Sequence, residues 1–185
     1  MVEGEPNESV SREWEQIPFH LGRVVLNWGH VEAATTVALW GAARIPNVEV
    51  GRVLTAGTPV VVQWEQIGLL LARDGVPSEL ATWWANWVPR AKGFQARRNA
   101  AVHGYWLPTG ETSEPFMALD FISQKSRKGV LEDRSPGGSE GLRVLADEIG
   151  VAHEQLLAWI KSDLMTGMQS LTTKDAVLTN DDPPQ

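Results

Sequence analysis

The sequence predicts a mainly α-helical domain: a bundle of four to five helices with a small β-hairpin inserted before the last one. Three observations predict it. Apolar residues recur at helical spacing through several long stretches. Clusters of Pro and Gly punctuate the chain between them. Only one region, beyond Gly104, concentrates β-forming residues in short runs. With 185 residues and 43% hydrophobic composition, the chain can bury one real core. It therefore reads as a single helical domain over residues 11–171, with disordered tails at 1–10 and 172–185.

The first element begins near Ser11. From Ile17 to Trp40 the residues Leu21, Val25, Trp28 and Leu39 define one stripe, with Val24, Val31 and Ala38 beside it. The spacing predicts a long amphipathic helix, bent near Pro18 or Gly22. Ile45-Pro46-Asn47 ends it, a short segment follows to Ala56, and Gly57-Thr58-Pro59 breaks the chain again. Val60–Arg73 is apolar enough for a second substantial helix, although Val60-Val61-Val62 also suits a strand. Asp74-Gly75-Val76-Pro77-Ser78 is a break that offers Ser78 as a helix cap for the Trp-rich stretch Glu79–Val88. Pro89 either kinks that helix or opens a new one at its first turn. In both cases Ala91–Val102 is helical and Gly104 terminates it. Phe116–Ile122 reads as a strand, the basic run Ser123–Gly129 as a turn, and Val130-Leu131 as the returning strand. Pro136-Gly137-Gly138 precedes the last helix, in which Leu142, Leu145, Ile149, Ala152, Leu156, Trp159 and Ile160 keep a 3.6-residue period to Met168.

Composition excludes several classes. A net charge of -7 argues against broad, non-specific duplex binding. The absence of cysteine excludes disulfides, a thiol nucleophile and thiolate metal sites. No apolar run is long enough to span a bilayer, and Glu3, Glu5 and Glu8 at the N-terminus do not make a secretory signal. The chain reads as soluble and cytoplasmic, without a membrane partner. There is no GxxxxGK[ST], no GxGxxG after a strand, no GxSxG elbow (Gly137-Gly138-Ser139-Glu140-Gly141 has the spacing but follows a loop, not a strand) and no HxxxH, so neither cofactor nor metal is expected. Nine tryptophans read mainly as core or dimer interface, with base stacking a minor use. His20, His30 and His153 have no catalytic neighbours in the sequence and read as surface or packing residues.

The suggestive constellation is Arg98-Asn99-Ala100-Ala101-Val102-His103-Gly104. It sets a cation, an amide and an imidazole near a helix end, three of the groups needed to cut a phosphodiester without metal. From Leu80 to Gly110 there is no Asp or Glu, while Arg90, Lys92, Arg97 and Arg98 fall inside that window. On a helical wheel with Phe94 at the origin, Trp87 lies at about 20°, Ala91 at about 60° and Arg98 at about 40°, inside the apolar sector. Asn99 and His103 are spaced i, i+4 on the adjoining face and can meet, whereas Arg98 and His103 are about 140° apart. Glu32 falls within the stripe read for the first helix. A buried charge needs a partner, so Glu32 and Arg98 are candidates for each other. Such a pair either only fixes packing or also orients Arg98 toward a ligand.

Arg98, Asn99 and His103, with a four-residue gap and the continuation Val102-His103-Gly104-Tyr105-Trp106, resemble the HEPN superfamily. Its signature is an arginine, usually followed by a polar residue, and a histidine four to six residues beyond. Elsewhere the resemblance is limited to the helix order and a long first helix carrying an acidic residue. It implies a bundle of four or five helices, homodimers with the motifs facing each other, and in many members metal-independent endoribonuclease activity, often in toxins or phage defence beside a partner or antitoxin. Other members are non-catalytic binding or scaffolding modules, which is the alternative reading. In an enzyme, the RNA 2′-hydroxyl attacks and a 2′,3′-cyclic phosphate forms. His103 acts as general base or acid, Arg98 stabilises charge on the non-bridging oxygens, and Asn99 orients the imidazole or binds a phosphate oxygen. Arg90, Lys92 and Arg97, with Lys125, Arg127 and Lys128 of the hairpin turn, are the candidate RNA contacts.

Overall fold

The computed structural model describes residues 8–73, 75–108, 116–119 and 137–168. Among them it is mainly helical: α1 (Glu8–Ala42), α2 (Val48–Thr55), α3 (Val60–Leu71), α4 (Ser78–His103) and α5 (Gly138–Trp159), the last continued by a π-helical turn, Ile160–Leu164. No helix of the described residues is long and apolar enough to cross a membrane.

Local chemistry accounts for the boundaries. α1 runs through Pro18 and Gly22 without interruption and ends where Arg44 takes a positive φ of 55°. The Asn47 side chain caps α2 by accepting from the backbone N–H of Glu49 at 2.8 Å. Val60-Val61-Val62 is helix, with Pro59 as the residue before its first turn. Pro89 lies inside α4, so Ser78–His103 is one helix and not two. Gly104 closes it by donating from its N–H to Ala100 O at 2.9 Å.

The expected hairpin pairs differently. Strand β2, Phe116–Leu119, falls within the segment read as a strand, but its antiparallel partner is β1, Tyr105–Pro108, with Tyr105 opposite Leu119 and Pro108 opposite Phe116. The chain leaves Gly104 directly in extended conformation, through Tyr105 and Trp106, residue types that suit a strand. The Trp106 indole N–H donates to Ala101 O at 3.0 Å, tying the start of β1 to the end of α4. Val130-Leu131, expected as the partner, lies outside the described residues, as do the turn with Lys125, Arg127 and Lys128 and the tails 1–7 and 172–185.

The residues group into two compact units, Met1–Gly29 with Lys92–Val151 and His30–Ala91 with Ala152–Gln185. The first unit buries Ile17, Val24 and Trp28 of α1, Ala100 and Ala101 of α4, and Leu142, Leu145 and Ile149 of α5. Polar contacts surround this core: Asn27 Nδ2 donates to Ala146 O at 2.8 Å, and Arg23 pairs with Asp147 at 2.6 Å. The Arg143 guanidinium meets both carboxylate oxygens of Glu140, and this hydrogen bonding holds the Glu140 carboxyl below the usual range.

The second unit is built on tryptophan. Trp64, Trp84, Trp87 and Trp159 are buried with Ile67, Leu71, Leu156 and Leu164. Their N–H groups are placed individually: Trp64 Nε1 donates to Thr35 Oγ1 at 3.2 Å, and Trp84 Nε1 to Trp64 O at 3.0 Å. Trp87 Nε1 donates to Ala152 O at 3.4 Å. Gly51 of α2 is buried because Trp40 lies across it. A Cβ there would stand 2.7 Å from Trp40 Cε2, and the Trp40 indole N–H is held by Thr55 Oγ1 at 3.3 Å.

Candidate functional site

The last turns of α4, in the first unit, carry Arg98, Asn99 and His103. Ala100 and Ala101 are buried, which fixes the opposite face outward and leaves Asn99 and His103 exposed. Arg98 is half-buried, in keeping with its place in the apolar sector of the wheel. Its Nη1 donates to Asn99 Oδ1 at 3.0 Å. The guanidinium has therefore turned from the apolar sector toward the exposed face where Asn99 and His103 stand i, i+4. Arg98 Nε is buried and has no acceptor among the described residues.

The partners of neighbouring arginines differ. Arg23 and Arg143 pair with carboxylates of α5, and Arg97 pairs with Glu148. The acid-free window in sequence is thus neutralised in space at Arg97, an expected RNA contact. Arg98 is held by an amide, which positions the cation without cancelling its charge. Lys92, also in the first unit, is exposed. Arg90 belongs to the second unit, where it is exposed and donates from Nη1 to Gln155 Oε1 at 3.1 Å.

Glu32 does not occupy the place read for it. It is exposed on α1, because the buried line runs through Ile17, Val24, Trp28, Val31, Thr35, Ala38 and Ala42. That line is centred about 60° from Leu21 on the wheel, which leaves Glu32 about 80° from its centre. The reason for expecting a buried carboxylate therefore falls away, and Glu32 and Arg98 belong to different units.

Two features of the second unit had little sequence signal. His30 and His153 face each other with ring centroids 5.3 Å apart. Burial, and then the neighbouring His30, hold the His153 imidazole below its ordinary range. The other is a groove of about 510 Å³ whose walls include Trp83, Trp87 and Trp159 with Asn86, Arg90 and Gln155. The half-buried Trp83 stacks on Trp159 at 4.6 Å and 5° between planes, and Trp87 lies near-parallel to it at 6.1 Å. Trp83, Trp84 and Trp87 at i, i+1 and i+4 were visible in sequence; the fourth ring, from α5, was not placed beside them by any local pattern. Among the described residues no group of three or more His, Asp or Glu side chains is arranged to hold a metal ion.

No protein family, curated protein or solved structure matches the chain.

Proposed function

We propose that this chain is a metal-independent endoribonuclease of the HEPN type, acting as a homodimer, with Arg98, Asn99 and His103 as its catalytic residues. One observation carries the reading: Arg98, in an apolar sector, is anchored by the Asn99 amide while Arg23, Arg97 and Arg143 are spent on carboxylates. An arginine positioned but not neutralised suits an incoming phosphate, whose non-bridging oxygens accept from its N–H groups.

The reaction needs no external nucleophile. The RNA 2′-oxygen bonds to phosphorus as the bond from phosphorus to the 5′-oxygen breaks, leaving a 2′,3′-cyclic phosphate and a 5′-hydroxyl. One proton leaves the 2′-hydroxyl and one arrives at the departing oxygen. The exposed His103 is suited to either transfer, and a second copy supplies the other imidazole across a dimer. The biological setting that the resemblance suggests is a toxin or defence component with a partner protein.

Purified protein incubated with mixed RNA in EDTA tests this. The expected result is cleavage to cyclic-phosphate ends, reduced about 10²–10⁴-fold by His103→Ala. Absence of cleavage, or cleavage indifferent to that substitution, overturns the catalytic reading in favour of the non-catalytic module.

A further inference from the structure

The tryptophan groove of the second unit is lined by none of the residues of the Arg98–His103 motif. Its volume of about 510 Å³ falls within the range of small-molecule sites, and its lining combines ring faces with a few converging polar groups, as such sites do. Trp83 divides it from a second groove of about 410 Å³ that shares Trp159, Ser162 and Asp163.

Three observations distinguish this wall from ordinary core. First, the indoles lie nearly parallel: Trp83 on Trp159 at 5° and Trp84 against Trp159 at 26°. Such a pile accepts another flat ring, whereas a cage for a compact cation needs rings set around it. Second, Trp159 is 2% exposed and its Nε1 has no acceptor among the described residues, although Trp84 and Trp87 both have theirs. A buried donor without a partner is costly, and a ligand atom is one way to satisfy it. Third, α5 widens into its π-helical turn at this point, where Ser162 and Asp163 line the groove; such turns are frequent at functional sites.

Charge and hydrogen bonding define the occupant. Arg90 is held through one nitrogen by Gln155 Oε1, a neutral partner that leaves its charge uncancelled. Asn86, Ser162 and Asp163 offer donors and acceptors for a polar ring edge. We propose that the groove binds a small heteroaromatic anion, its ring stacked on Trp83, its edge accepting from Trp159 Nε1, and its anionic group on Arg90. Nucleoside monophosphates have this chemistry: the base carries ring nitrogens that accept, and the phosphate is the anion.

Isothermal titration with AMP, GMP, adenosine and L-tryptophan tests it on the full chain. AMP or GMP binds, and L-tryptophan, a zwitterion whose indole edge only donates, binds more weakly or not at all. Adenosine, which lacks the phosphate, binds at least about tenfold more weakly than AMP. Trp83→Ala and Arg90→Ala each weaken the bound probe about tenfold, the scale of one lost stacking or charged contact, and Trp159→Phe weakens it while keeping most of the ring area. Melting curves confirm that each variant is folded. Failure of both AMP and GMP to bind at millimolar concentration, or affinity unchanged in all three variants, overturns the site. Because Trp83 and Trp159 belong neither to the cleavage motif nor to the candidate RNA contacts, their variants let the RNA assay and the titration fail independently.

Discussion

Arg98 donates from Nη1 to the side-chain oxygen of Asn99 at 3.0 Å, an adjacent-residue contact across about 100° of helix surface. The long apolar stem of Arg98 and its charged head consequently have separate roles. The stem fills part of the apolar sector, and the head is drawn to the exposed face shared by Asn99 and His103.

Arg98→Met separates the two roles. Methionine keeps the unbranched stem and removes the buried Nε that lacks an acceptor, so stability should change by less than about 1 kcal/mol. RNA cleavage in EDTA should fall about 10²–10³-fold, since the oxyanion donor is gone. Asn99→Ala, at an exposed position, should lower cleavage without a measurable change in melting. A large loss of stability in Arg98→Met would make the arginine a structural residue.

Trp84 and Trp159 give a matched pair for hydrogen-bond energetics. Both are almost fully buried, but Trp84 Nε1 donates to Trp64 O while Trp159 Nε1 has no acceptor among the described residues. Phenylalanine removes the N–H and similar volume at each. Trp84→Phe loses a made hydrogen bond to Trp64 O, a carbonyl inside α3, and should cost about 1 kcal/mol beyond Trp159→Phe. Urea denaturation of both variants measures the difference, and equal losses would mean that the unpartnered donor carries no penalty.

Much of the helical plan was legible because it is local. Ser78, Gly104 and the apolar period of α5 mark their elements in sequence, and Arg98 shows its anomaly on a wheel that needs only one helix. What required the folded chain was the choice among apolar faces. α1 carries Leu21, Val25 and Leu26 as well as the Val24–Trp28–Val31 line, and only packing decides that Val25 and Leu26 remain exposed. Glu32 was misplaced by that ambiguity. The fourth tryptophan of the stack and the histidine pair depend on residues far apart in sequence, which periodicity does not join; the partner of β2, Tyr105–Pro108, lies close in sequence, but short runs on both sides of β2 suit a strand and only pairing chooses between them.

Glycines in the helices should respond in opposite directions. At Gly22 and Gly29, both exposed on α1, an added Cβ meets nothing within 4 Å. Alanine at either should stabilise by about 0.5–1 kcal/mol through helix propensity. At Gly51 the same gain is outweighed, because the Cβ would stand 2.7 Å from a Trp40 ring that Thr55 holds in place. Gly51→Ala should destabilise by about 1–3 kcal/mol as the ring is displaced. Thermal melts of the three variants check the signs.

The His153 imidazole is held below its ordinary range of 6.5, first by burial and then by His30 opposite, with Glu154 acting the other way. The unfolded chain therefore takes up a proton at this residue at higher pH than the folded protein does. Stability from His153 is fully present above the unfolded value, and it is lost as pH falls from near neutrality through the lowered folded value. His153→Gln should flatten this part of the stability profile, measured by denaturation between pH 7.5 and 5. His30→Gln removes only the charge repulsion and should flatten it less, since burial is the larger cause. If both variants keep the wild-type slope, the histidine pair does not couple folding to protonation.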